Sequence, residues 1–113
     1  MDFKLDVVEE TGKVQAILQG EIDAYTAPVL REQLDGISIS EGTQVELNFS
    51  NVNYMDSTGL SVIVAFYKSV VANGGEIVLT CLSERLKRLF DITGLTDIMN
   101  IEVRKVISNN ERI

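Results

Sequence analysis

Asp56-Ser57-Thr58-Gly59 sets a carboxylate, two hydroxyls and a glycine directly ahead of an apolar run that extends from Val62 to Ala72. Three chemistries suit such a set. A hydroxyl at the start of a helix can accept from free backbone N–H groups as an N-cap. Those N–H groups and the positive end of the helix dipole also favour a phosphate, so either hydroxyl is a candidate phosphate acceptor. The third chemistry makes Ser57 a nucleophile with Asp56 as its base. Neither histidine nor lysine adjoins Ser57 in the motif, and a carboxylate is a weak base for a hydroxyl. The chain has no histidine at all, which removes Ser-His-Asp and Cys-His nucleophile systems and any His-ligated metal site.

A phosphoryl group on Ser57 adds about −1.5 to −2 charges and three acceptor oxygens. The helix N-terminus is expected to accommodate it without unfolding the domain, while Asp56 opposes it through like charge. Capping and phosphate acceptance therefore both stand for the Ser57–Thr58 pair. Asp23 closes Gly20-Glu21-Ile22-Asp23. It reads either as a loop carboxylate or Asx turn, or as part of one rim with Ser57 if the two preceding strands point the same way. Gly59 fits a site of tight helix–strand packing.

The elements that must position these residues follow from periodicity. Phe3, Leu5 and Val7 alternate with Lys4 and Asp6, and Val14, Ala16 and Leu18 alternate again beyond Thr11-Gly12-Lys13, which predicts a β-hairpin. Thr26 is a candidate cap and Pro28 suits a first turn, so Val29, Leu30, Gln33, Leu34 and Ile37 follow at helical spacing. Val45, Leu47 and Phe49 predict a third strand. A helix is expected from about Thr58 to Asn73, stopped by Asn73-Gly74-Gly75. Ile77 to Cys81 predicts a strand covered on both faces. Ser83 is expected to cap a helix carrying Leu86, Leu89 and Phe90. Ile98, Ile101, Val103 and Val106 suggest a final short strand, and residues 108–113 a frayed tail. Strands alternating with helices imply an α/β fold, a largely parallel sheet with helical cover.

The helix after the motif is more apolar than one face requires. Leu60, Ile63, Val64, Tyr67, Val70 and Val71 form one stripe, enough to pack on a sheet, while Val62, Phe66, Ser69 and Asn73 form a second. Lys68 is the only charged residue between Asp56 and Glu76. The second stripe is either buried against a neighbouring helix or exposed to dock a partner.

At 113 residues the chain fits one domain, and 45% hydrophobic with 24% charged residues is ordinary for a globular fold. The net charge of −7 disfavours direct nucleic-acid binding and suits a partner with a basic patch. Cys81 is the only cysteine and is expected to act as a small core residue in a reducing compartment. No apolar run approaches the roughly 20 residues that span a membrane, and the N-terminus lacks a signal-peptide pattern, so no membrane association and a cytoplasmic address are expected.

Gly20-Glu21-Ile22-Asp23, Ala27-Pro28-Val29-Leu30-Arg31, Tyr54-Met55-Asp56-Ser57-Thr58-Gly59-Leu60 and the run from Leu82 to Leu95, in this order and spacing, resemble the bacterial anti-sigma factor antagonists of the STAS domain family. The likeness is to antagonists of the general-stress sigma-factor pathway and covers nearly the whole chain, with the domain expected over residues 1–107. It implies a single STAS domain, a mixed four- to five-stranded sheet with helices mainly on one face. It also implies partner switching without enzymatic activity. In that scheme the unphosphorylated protein binds an anti-sigma factor that is itself a GHKL-type serine kinase, freeing the sigma factor for transcription. The kinase, using its own ATP and Mg²⁺, phosphorylates the antagonist and releases it, and a PP2C-type phosphatase restores it. The antagonist itself needs no cofactor. By position in the motif, Ser57 is the implied phosphoacceptor and Thr58 the runner-up. Asp23, Asp56, Ser57, Thr58, Gly59, Ser61, Val62 and Phe66 are the implied partner-binding residues. A STAS scaffold, or a transport-system subunit without a phosphoswitch, is the alternative.

Overall fold

The computed structural model describes residues 3–95. Seven elements follow in the order β1 (Phe3–Glu10), β2 (Lys13–Ile22), α1 (Ala27–Asp35), β3 (Gln44–Met55), α2 (Ser57–Ala72), β4 (Glu76–Thr80) and α3 (Glu84–Ile92). They form one four-stranded mixed sheet in the order β1-β2-β3-β4. The β1–β2 hairpin is antiparallel and turns at Thr11-Gly12, where Gly12 adopts a φ of 77°. β2, β3 and β4 run parallel, joined through α1 and α2. Right-handed crossovers between successive parallel strands put both helices on one face of the sheet. The core forms there, from Val14, Ala16 and Leu18 of β2, Val45, Leu47 and Phe49 of β3, Ile77 and Leu79 of β4, and Leu30, Ile63, Phe66, Val70, Leu86 and Phe90 of the helices. The expected final strand at Ile98 to Val106 and the expected tail lie outside the described residues.

β3 runs further than the alternation of Val45, Leu47 and Phe49 suggests. From Ile17 to Ile22 β2 advances five residues, while its partner advances seven, from Asn48 to Met55. The register shifts fall between Ile17 and Gln19 and between Gly20 and Glu21, and Gly20 takes up the second with a φ of 101° that disfavours a side chain. Each extra residue turns β3, so its later buried residues, Val52 and Met55, are spaced by three rather than two. The result brings Ile22 opposite Met55. The next residues of the two strands, Asp23 and Asp56, therefore leave the sheet side by side.

The last described strand meets its expectation in part and corrects that for Cys81. β4 has one face in the core, through Ile77 and Leu79, and on the other face Val78 is half-buried and Thr80 fully buried. Cys81 lies beyond the strand, half-buried, with a φ of 60°. On this outer face a row of polar contacts crosses the sheet. Thr80 Oγ1 donates to Glu46 Oε2 at 2.7 Å, and Gln15 Nε2 donates to Glu46 Oε1 at 3.5 Å.

Candidate functional site

α2 begins one residue earlier than its sequence indicates, and its cap is Asp56, not either hydroxyl. Asp56 is extended (φ −109°, ψ −173°), and its Oδ1 accepts from Thr58 N at 3.0 Å and Gly59 N at 3.2 Å. Its backbone is tied to β2, with Asp56 N donating to the Ile22 carbonyl at 3.2 Å. Two of the first-turn donors that a phosphate would use are thus already held by a carboxylate. Ser57 is the first residue of the helix and Thr58 the second; both are exposed. Their hydroxyls make no hydrogen bond among the described residues. Ser61, one turn on, is also exposed and donates its hydroxyl to the Ser57 carbonyl at 3.0 Å.

Gly59 is where α2 meets β2. A Cβ at this position would collide with Ile22 Cγ2 and lie 2.9 Å from the Ile22 carbonyl oxygen. The absence of a side chain lets the first turn of α2 sit directly on the end of β2, which fixes the height of Ser57 above the sheet.

Asp23 forms the Asx turn that was one of its two readings. Its Oδ1 accepts from Tyr25 N at 2.9 Å and Thr26 N at 3.1 Å. The Thr26 hydroxyl completes the turn by accepting from Asp23 N at 2.9 Å and donating to the Glu21 carbonyl at 2.7 Å. Thr26 stands at the N-cap position of α1 without making a side-chain cap there, a correction to its expected role. Its hydroxyl instead fixes the loop. Parallel pairing of β2 with β3 puts Asp23 on the same rim as Asp56 and Ser57, but Asp23 is only 7% exposed. Glu21, Asp23, Asn53 and Tyr54 line an open cleft of about 580 Å³ beside the motif.

The two expected stripes of α2 resolve into one. The buried residues are Gly59, Leu60, Ile63, Phe66 and Val70, which take members from both stripes. Phe66, at 6% exposed, belongs to the core. Together with half-buried Val62 it lines the seam facing Leu34 of α1. Val71, expected to pack, is exposed. The outward face instead carries Ser61, Ala65, Lys68 and Ala72, small residues apart from the lysine. Of the expected partner-binding residues, Ser57, Thr58 and Ser61 lie open, Asp56 and Val62 are half-buried, and Asp23, Gly59 and Phe66 are buried. Thr26 and Tyr25 carry no site reading from the sequence. The signal for them is their place two and three residues after an aspartate at a strand end, where an Asx turn recruits backbone donors. No helix among the described residues is long and apolar enough to cross a membrane.

The chain is similar to known proteins over most of its length. The anti-sigma-B factor antagonist of Bacillus subtilis (strain 168) is 46% identical over 104 residues, covering 92% of this chain and 94% of the relative. That of Listeria monocytogenes is 44% identical over 103 residues, 90% of each. Among solved structures, the fold matches the Bacillus cell fate determinant SpoIIAA in its phosphorylated form, with a TM-score of 0.66 at 22% identity over 91% of this chain and 93% of that one. The model of the STAS domain matches residues 4–109, and the chain belongs to the STAS domain family.

Proposed function

We propose that this protein is an anti-sigma factor antagonist controlled at Ser57. Unphosphorylated, it binds an anti-sigma factor in the cytoplasm and so releases a sigma factor to activate transcription. The anti-sigma factor is a GHKL-type kinase and transfers the γ-phosphoryl group of its bound ATP to Ser57 Oγ, with Mg²⁺ held on the kinase side. The phosphorylated protein lets go, and a PP2C-type phosphatase hydrolyses the ester. The antagonist contributes an acceptor and a docking surface and no catalysis of its own.

The observation that carries this reading is the Ser57 hydroxyl. It is exposed, free of hydrogen bonds among the described residues, and held at the first position of a helix that Asp56 has already capped. The helix does not need it, so modification leaves the fold intact. The outward face of α2 beyond it is small and carries only Lys68 as a charge, which permits close approach of a partner. The Bacillus subtilis relative, named as an antagonist of the anti-sigma-B factor, is similar along almost its whole length. Docking then involves Asp56, Ser57, Thr58 and Ser61 directly, with the edge of Val62. Gly59 and Asp23 act by holding the rim in place, and Phe66 by packing α2.

A phosphate at this surface must be desolvated when the partner docks, which costs several kcal/mol when no countercharge meets it. A loss of about 3 kcal/mol is roughly a hundredfold in affinity. The test is incubation with the anti-sigma factor encoded in the same genome, plus ATP and Mg²⁺. One phosphate per chain is expected, and none on Ser57→Ala. Phosphorylation that persists in Ser57→Ala moves the acceptor elsewhere, first to Thr58. By calorimetry, Ser57→Asp is expected to bind about a hundredfold more weakly than the unmodified protein, and equal affinities would sink the switch.

A further inference from the structure

The outward side of α2 is grooved. Leu60, Ser61, Val64, Ala65 and Lys68 of the helix, with Leu95 just beyond α3, line an open groove of about 400 Å³. Leu95 reaches it at the turn that ends α3, where Gly94 has a φ of 78° and donates its N–H to the Asp91 carbonyl at 3.0 Å. The apolar lining comes from Leu60, Val64, Ala65 and Leu95. Lys68 is the one charge in the lining. It is exposed and belongs to neither ion pair of the described residues, Arg31–Asp35 and Lys87–Asp91. The groove starts one helical turn from the acceptor, since Ser61 donates its hydroxyl to the Ser57 carbonyl at 3.0 Å. Lys68 lies at the far end, about 16 Å from Ser57 along the helix axis.

A kinase that reaches Ser57 Oγ must also cover the surface around it. A stable interface takes about 800 Å² from each partner, a patch roughly 30 Å across, and the groove falls within that reach. The rim offers a poor hold for a switch. It carries Asp23 and Asp56, and a partner that met them with cations would attract the phosphate as well. The groove offers the opposite kind of hold. Its apolar part, close to Ser57, calls for no cation on the partner and so gives a phosphate no countercharge. Its cation stands about 16 Å away, beyond a Debye length of about 8 Å at physiological salt. A second copy of this chain is disfavoured as the occupant, because two molecules of net charge −7 repel. We infer that the groove seats an aliphatic side chain of the anti-sigma factor between Leu60, Val64 and Leu95, and that a carboxylate of the same partner segment meets Lys68. The hold then lies along α2, and Ser57 lies at its edge, where a phosphate must be desolvated without compensation. This rests on the proposed function.

The test fills the groove and reverses its charge. Ala65→Tyr puts a ring into the groove from an exposed helical position, and Gln33→Tyr adds the same bulk to the exposed side of α1. Binding to the anti-sigma factor of the same genome is measured by calorimetry, with circular dichroism as a check on folding. Ala65→Tyr is expected to bind at least about tenfold more weakly, and Gln33→Tyr within about twofold of wild type. Lys68→Glu is expected to lose about tenfold at 0.1 M salt and only about twofold at 1 M, where the charge is screened. In phosphorylation assays Ala65→Tyr is expected to raise KM about tenfold with kcat within about twofold, since the groove binds and Ser57 still reacts. Ala65→Tyr that binds like wild type overturns the groove while leaving the proposed function standing. So does a Gln33→Tyr as weak as Ala65→Tyr, because bulk at any site on the helices would then suffice. A Lys68→Glu loss that salt does not reduce overturns the carboxylate contact. A wild-type protein that neither binds nor is phosphorylated refutes the proposed function itself.

Discussion

Asp23 and Asp56 stand at the ends of neighbouring parallel strands, one residue beyond the paired Ile22 and Met55, and each uses a single carboxylate oxygen to accept two backbone N–H groups. The backbone task is the same, but the chain beyond each aspartate differs. After Asp23 comes a closed turn in which Thr26 turns its hydroxyl inward to Glu21 and Asp23, and both polar residues are buried. After Asp56 comes the helix itself, with Ser57 and Thr58 facing outward. One aspartate locks a loop, whereas the other frees hydroxyls from structural duty by taking over their capping role. In the proposed switch, one aspartate thus holds the rim while the other leaves Ser57 free to be the acceptor. The same division predicts that the two carboxylates tolerate mutation differently.

Asp23→Ala is expected to be the most damaging of these changes. It orphans the N–H groups of Tyr25 and Thr26 in a turn whose Asp23 and Thr26 are buried, which costs about 2–3 kcal/mol. Asp23→Asn keeps an acceptor and should recover most of that loss. Urea denaturation of the two variants measures the difference; equal losses would mean that the negative charge, not the acceptor geometry, matters at this position. Gly59→Ala comes next at about 1–3 kcal/mol, because the new methyl group meets Ile22 and must push α2 away from β2. Since that contact sets the height of Ser57, phosphorylation by the anti-sigma factor should slow more in Gly59→Ala than in Asp56→Ala. Equal rates in the two variants would remove the positional role from Gly59.

Much of this arrangement was legible in the sequence, for reasons that also mark its limits. The hairpin, the β/α alternation and the end of α2 follow from period-two alternation, helical spacing and glycine stops, all local signals. The second half of β3 was hidden because two extra residues break the alternation after Phe49. A strand that bulges twice no longer looks like one. The face of α2 was hidden for the opposite reason. Apolar residues lie on most sides of that helix, so periodicity alone cannot choose among them. Only the positions of α1 and the sheet select Ile63, Phe66 and Val70. The identity of the cap was likewise open, because Asp56, Ser57 and Thr58 are all good caps and only backbone geometry decides.

The smallest predicted effect tests the division between the two aspartates most directly. Asp56→Ala should cost about 1 kcal/mol, the usual effect of a lost N-cap. The informative quantity is how phosphoserine at position 57 changes stability in each background, with the phosphoserine genetically encoded so that no kinase step intervenes. In the wild-type protein Asp56 holds the N–H groups of Thr58 and Gly59. The phosphate is left in solvent beside a like charge, so stability is unchanged or lowered by up to about 0.5 kcal/mol. In Asp56→Ala those donors are free and the helix dipole is unopposed. The phosphate can then accept from them itself and raise stability by about 0.5–1 kcal/mol. Opposite signs in the two backgrounds, read from urea denaturation midpoints, are the expected result. If phosphorylation stabilises both proteins equally, Asp56 is not competing for the helix terminus. The outward display of the Ser57 phosphate would then need a cause other than the cap.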